Sequence, residues 1–150
     1  MCYNNRMRML GVDYGDARIG IATCDELEIL ATARDTIASQ SMRKNIDAVA
    51  AIAQAEKVER IVVGLPLNMD GTEGARASKT RSFGKVLEKV SGIEVVFFDE
   101  RLTTVEADER MDEAQIKKSK RKGIVDRIAA AIILQSYLDY YKKSKQGEQL

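Results

Sequence analysis

Histidine is absent from these 150 residues. That gap removes the imidazole general base, the Ser-His-Asp arrangement and every histidine metal ligand. Tryptophan is also absent and aromatics make up only 5% of the chain, so a base-stacking platform for sequence readout has poor support. Cys2 and Cys24 are the only cysteines and form no CxxC pair, which indicates neither a disulfide framework nor a zinc site. Free thiols fit a cytoplasmic protein. No apolar run reaches the roughly 18 residues of a membrane span. The N-terminal MCYNNRM lacks the apolar core of a secretory signal and reads equally as an extension ahead of a start at Met7 or Met9. Catalysis, if present, must rest on carboxylates, lysines, hydroxyls or thiols. Carboxylates with a hard cation are the simplest of these.

What remains is an ordinary globular composition, 45% hydrophobic and 31% charged, at a size that supports one core. A single domain over 1–150 is expected, with residues 1–6 and about 143–150 as flexible tails. The net charge of +1 conceals KKSKRK (117–122), five cations in six positions.

RMLGVDY (8–14) reads as a strand, IGIATC (19–24) as a second after the turn-like GDAR, and EILATARDTI (28–37) as a third. Their close succession suggests an antiparallel meander. Met42, Ile46, Val49 and Ala53 recur at helical spacing within 40–56. RIVVGLP (60–66) is a short buried strand holding the only proline. The loop LNMDGTEG leads into a basic helix near 74–90 with Phe83, Val86, Leu87 and Val90 on one stripe, followed by the strand EVVFFDE (94–100). TTVEADERMDEAQ (103–115) suggests a short helix, and GIVDRIAAAIILQSYLDYY (123–141) is the last one. The class is α/β: a mixed five-stranded sheet, an antiparallel meander and then αβαβα, flanked by helices. A ribonuclease H-like fold has this order of elements.

The last helix poses a question. Asp126 shares a stripe with Ala130, Ile133 and Tyr137, the face that should be buried, while Arg127, Gln135 and Asp139 fall on the other side. An unpaired charge there is costly, so this carboxylate needs a partner. Asp13 ends the first strand on the same face as Gly11, which leaves room beside it. Asp99 and Glu100 end the last strand on opposite faces, so at most one easily looks toward Asp13. Ala129 and Ala130 let the helix approach the sheet. Three carboxylates can thus converge, and like charges held close raise one another's pKa unless a cation neutralises them. Mg²⁺ or Mn²⁺ answers that need. Structural roles stay equally open at this point: Asp13 organising its turn, Glu100 pairing with Arg101 or Arg18, and Asp126 capping its helix.

GVDYGDARIGIA, GLPLNMDGTEG, FFDERLTTVEA and VDRIAAAIILQSYL, in that order over residues 10–138, resemble the YqgF type, also called RuvX. That family is described as Holliday-junction resolvases and as nucleases maturing the 5′ end of pre-16S ribosomal RNA. The resemblance implies a ribonuclease H-like fold and metal-dependent phosphodiester hydrolysis, with Asp13, Glu100 and Asp126 as catalytic and metal-binding residues. It selects Glu100 over Asp99. RuvC resolvases carry a further acid one turn after the helix aspartate, where this chain has Ala129; the departure leaves a second ion to bind with substrate.

Asn68, Asp70, Gly71 and Thr72 precede a helix in a Gly-rich turn of the kind that exposes N–H groups to phosphate, or simply forms an Asx turn. The family match favours a substrate-strand loop. Arg18, Arg76, Arg101, Lys118, Lys120 and Arg121 are the cationic candidates for backbone phosphate, with Lys79 and Arg81 as weaker ones. Cys24, in an apolar strand with no activating histidine, reads as structural. Pre-ribosomal RNA is the expected partner, with ribosomal precursor particles or branched DNA as alternatives, for a monomer or homodimer without membrane attachment. A nucleic-acid-binding module with vestigial acids is a further alternative. An actin-like phosphate motif is set aside, because such proteins need two domains.

Overall fold

The computed structural model describes residues 8–24, 31–34, 36–103 and 122–149, with side chains of the final helix described from 128 to 141. The strands are β1 (Met9–Tyr14), β2 (Arg18–Cys24), β3 (Ala31–Ala33), β4 (Ile37–Ala38), β5 (Arg60–Leu65) and β6 (Glu94–Asp99). The helices are α1 (Met42–Ala55), α2 (Ala75–Ser91) and α3 (Lys122–Gln149). Beyond Thr103, which is extended, the short helix expected in 103–115 lies outside the described residues, as do the cations Lys118, Lys120 and Arg121.

The sheet order is β3-β2-β1-β5-β6, with β4 also pairing β2. β1, β2 and β3 are antiparallel, while β1, β5 and β6 are parallel, so the meander and the mixed sheet are as expected. The third strand differs. Ile19 faces Ile37 but Ala22 faces Ala33, so three steps along β2 are matched by four on the returning chain. One extra residue is a β-bulge. It divides the expected strand into β3 and β4 and makes six strands among the described residues. Arg34 N–H donates to Ile21 O at 2.7 Å within this irregularity.

Strand alternation sorts the core into two layers. Leu10, Val12, Ile19, Ile21, Ile61 and Val63 pack with Ile46, Val49, Phe83 and Leu87 of α1 and α2. Met9, Ala22, Val62 and Phe98 pack with Ala130, Ile133, Leu134 and Leu138 of α3 on the other face. Ser41 starts α1 by accepting from Lys44 N–H at 3.2 Å, an N-cap. The stripe of α2 is rotated from the expected one. Phe83 and Leu87 are fully buried, whereas Val86 and Val90 are 40% and 44% exposed. The buried face runs through Ala77, Thr80, Phe83, Gly84, Leu87 and Ser91, because Gly84 lets the helix settle on the Phe97 ring, whose Cζ stands 2.5 Å from where a Cβ would be.

Two further expectations change. Gln135, placed on the polar side of the last helix, is 1% exposed. Its Oε1 accepts from Ala31 N–H at 2.9 Å and its Nε2 donates to Asp139 at 3.2 Å, so the amide is satisfied where it ties β3 to α3. The final helix also continues to Gln149, beyond the stretch its periodicity marked. Among the described residues no helix is long and apolar enough to cross a membrane.

Gly11 sets how closely α3 lies on the sheet. A Cβ there would meet Leu134 Cβ at 2.8 Å and Ala130 O at 3.0 Å, neither of which is a flexible side-chain end. Gly11→Ala is therefore expected to destabilise the protein by about 1–3 kcal/mol, the usual cost of overpacking. Denaturant unfolding measures this, and an unchanged midpoint would show that the helix is free to retreat.

Candidate active site

Because β1, β5 and β6 are parallel, their carboxyl ends share one edge of the sheet, where open α/β folds place ligands. Asp13 lies one residue from the end of β1, and Glu100 opens the 3₁₀ turn Glu100–Leu102 that follows β6. Val12 pairs with Val63 and Gly64 with Phe98, so Gly64 stands in the row between the two acids. A Cβ on Gly64 would meet Glu100 Oε2 at 2.8 Å and Ile133 Cδ1 at 2.6 Å. The missing side chain is the space the glutamate occupies. A glycine inside a buried strand signals such an approach, and RIVVGLP carried that signal in the sequence.

Asp13 and Glu100 line one cavity of about 230 Å³ together with Thr103, Ala129, Ile132 and Ile133. The face of Met9 and Gly11 that looks onto α3 is thus the face that delivers Asp13, and Glu100 is the acid that joins it. Asp99 turns away to Arg101. Burial pushes the Glu100 carboxyl above its ordinary value, and the Asp13 charge pushes it further; Arg76 opposes the rise and Asp99 adds to it. Two acids thus share a partly dry site. Among the described residues no group of three or more metal-ligating side chains gathers. The side chain of Asp126, the third expected ligand, lies outside the described residues, although its backbone is in α3.

The loop before α2 is braced from within. Asn68 N–H donates to Thr72 O and Gly71 N–H to Asn68 O, both at 2.9 Å. Thr72 donates to Asp70 Oδ1 from its hydroxyl at 2.6 Å and from its backbone N–H at 3.0 Å, which lowers the Asp70 pKa. Asn68 Nδ2 donates to the Thr72 hydroxyl at 2.9 Å. This is an Asx turn, completed by Gly71 at φ +88°, a conformation that favours glycine. Arg101 reaches the loop by donating to Met69 O at 3.2 Å. Arg76, in the first turn of α2, is near enough for its charge to act on Glu100. Arg18 is exposed at the start of β2, and its carbonyl accepts from Gly15 N–H at 3.1 Å. Lys79 and Arg81 engage Asp16 at 3.8 Å and Glu73 at 2.7 Å. Sequence reasoning passed over Gly64, although its place inside a buried strand was a signal, and also Thr103 and the Asp99–Arg101 pair, which are visible only once the strand ends are side by side.

The architecture is that of ribonuclease H-like resolvases. T. thermophilus RuvC in complex with Holliday junction substrate matches with a TM-score of 0.67 at 14% identity, over 92% of this chain and 96% of that one. The Fowlpox virus resolvase with Holliday junction DNA matches at 0.57 and 15% identity, over 90% and 99%. The family model described as "RuvX: Holliday junction resolvase" matches residues 7–140, and the chain belongs to the RuvX family. It is 46% identical over 139 residues to a protein of Syntrophus aciditrophicus, covering 93% of each. It is 50% identical over 133 residues to one of Endomicrobium trichonymphae, covering 88% of this chain and 95% of that one. Both relatives are named "Putative pre-16S rRNA nuclease". With this family and these relatives, the chain is a hydrolase of phosphodiester bonds.

A carboxyl whose folded pKa is raised favours folding in its neutral form. In metal-free protein the contribution of Glu100 is therefore complete below the unfolded value of 4.5 and is lost as pH rises through the folded value. The stability of Glu100→Gln relative to wild type should accordingly increase from acid to neutral pH without divalent cation. Paired thermal melts across that range test this, and a constant difference contradicts it.

Proposed function

We propose that the protein is a divalent-metal-dependent endonuclease that cuts precursor 16S ribosomal RNA at its 5′ end. The observation that carries this reading is the meeting of Asp13 and Glu100 in one cavity at the carboxyl edge of the sheet, in a chain whose relatives at 46% and 50% identity are named for pre-16S RNA.

The donor chemistry fits a hard cation. Two carboxylates share the cavity, and the raised proton affinity of Glu100 is the condition a divalent ion relieves. Mg²⁺ or Mn²⁺ suits oxygen donors. Asp13 and Glu100 would hold it, with Asp126 as the third ligand. The support for Asp126 is positional. Ala130 and Leu134 lie against Gly11 and Ala129 lines the cavity of Asp13, so α3 runs antiparallel to β1, and the next turn back from Ala129 contains Asp126. Residues three and four apart share a helix face. When bound, such an ion lowers the pKa of water and neutralises charge developing at the phosphodiester.

The chain's own groups do the remaining work. Arg76 and the 67–72 loop orient the strand beside the acids, with Arg18 at the start of β2 as a further cation for phosphate. Lys118, Lys120 and Arg121, which lead into α3, attract phosphate and make binding fall with salt. Glu100 must be ionised to act as a ligand, so protons compete with the cation for it. Recognition rests on backbone and shape rather than on stacked bases.

A second reading, cleavage of Holliday junctions, is favoured by the description of the family model. Purified protein with Mg²⁺ or Mn²⁺, given a pre-16S leader and a four-way DNA junction under identical conditions, separates the two. The expected result is cutting of the leader at the mature 5′ end and little action on the junction; the reverse preference selects the second reading. Asp13→Asn should lower cleavage by more than about a hundredfold, since even residues that only support a metal ligand cost 10–100-fold, with the unfolding transition retained. Full metal-dependent activity in that variant would refute the assignment.

A further inference from the structure

We infer that Asp99 and Arg101 form a positioning latch, which locks the 67–72 loop to the turn carrying Glu100; Arg101 is then not a substrate contact. The inference rests on the nuclease reading and assigns roles to two residues within that site.

The tip of the loop has nothing apolar to hold it, because Met69 is 93% exposed. Its tie to the strand edge is the guanidinium of Arg101. That group donates to Met69 O at 3.2 Å and lies under Gly71, with its Nη1 and Nη2 3.5 and 3.6 Å from where a Cβ would stand. The guanidinium is itself held by Asp99, which accepts from Nε at 3.1 Å on both oxygens and from Nη2 at 2.8 Å. This fork-on-carboxylate geometry fixes direction as well as charge. Asp99 Oδ1 also accepts from Arg101 N–H at 2.9 Å, capping the turn that starts at Glu100. One carboxylate thus sets both the turn of the catalytic glutamate and the arginine that pins the loop. Each guanidinium nitrogen of Arg101 thus donates to protein, and its direction is set by Asp99 and the loop rather than by a ligand.

The two roles predict opposite behaviour for Asp99→Asn. Asparagine still caps, so the Glu100 turn survives, and an exposed ion pair contributes little to global stability, so folding survives too. If Arg101 contacted phosphate, removing the neighbouring negative charge would help binding. In the latch reading the same change frees the loop and slows cleavage. A misplacement of about 1 Å near a reacting group costs up to about a hundredfold.

The experiment compares wild type, Asp99→Asn, Arg101→Ala, Arg101→Lys and the Asp99→Asn/Arg101→Ala double variant. It measures kcat and KM on the leader RNA, the salt dependence of binding, and hydrogen exchange at the Asn68, Gly71 and Thr72 amides. The latch predicts lower kcat with similar KM in each single variant and no further loss in the double one, as for residues acting as a unit. It predicts an unchanged salt slope, faster exchange in the loop, and no rescue by lysine, which lacks the fork. Normal kcat and exchange in Asp99→Asn would overturn it. So would a salt slope reduced by about one in Arg101→Ala, the mark of a lost phosphate contact. The exchange readout needs no cleavage. An inactive wild type would therefore count against the nuclease reading alone, with the latch still judged by the loop amides.

Discussion

Two carboxylates forced to share a partly buried cavity are the constraint around which this structure is organised. Burial raises the proton affinity of Glu100, and the Asp13 charge raises it further. No scaffold gains stability from that arrangement in the absence of a cation. The two apolar layers around the sheet have to offset it. The geometry follows from omissions in the sequence as much as from its acids. Gly11 removes the side chain that would hold α3 away, and Gly64 removes the one that would occupy the place of Glu100.

Much of this was legible in the sequence because it depends on strand alternation and helix periodicity. The face shared by Met9, Gly11 and Asp13, the α1 stripe, and the meander followed by parallel strands all come from periods of two and 3.6. The choice of Glu100 over Asp99 did not, since both end the same strand; it came from the family resemblance, and the structure gives its physical reason in Gly64. Other features depend on tertiary context. The bulge between β3 and β4 is set by the register against β2. Gln135 looked polar and outward, yet it is buried because the Ala31 N–H supplies a partner. The stripe of α2 turned because Gly84 made room for Phe97, and a hydrophobicity count favours Val86 and Val90 instead. The third carboxylate, Asp126, remains a reading from helix position.

Around the acids the polar residues divide by what already engages them. Asn68, Asp70 and Thr72 spend hydrogen bonds on one another, so the loop they form is shaped before any substrate arrives. Arg101 is committed to Asp99 and the loop, whereas Arg76 stands within electrostatic reach of Glu100. A pre-shaped loop beside a charged pair lowers the entropy of aligning a flexible phosphodiester. It also suits a chain that is poor in aromatic residues.

The central claim is that Asp13, Glu100 and Asp126 hold one divalent cation site. Anomalous scattering from crystals soaked in Mn²⁺ tests it most directly. The account predicts a manganese peak at the carboxyl edge of the sheet within coordination distance of all three carboxylates. A peak elsewhere, or none while the three side chains stand apart, would contradict it.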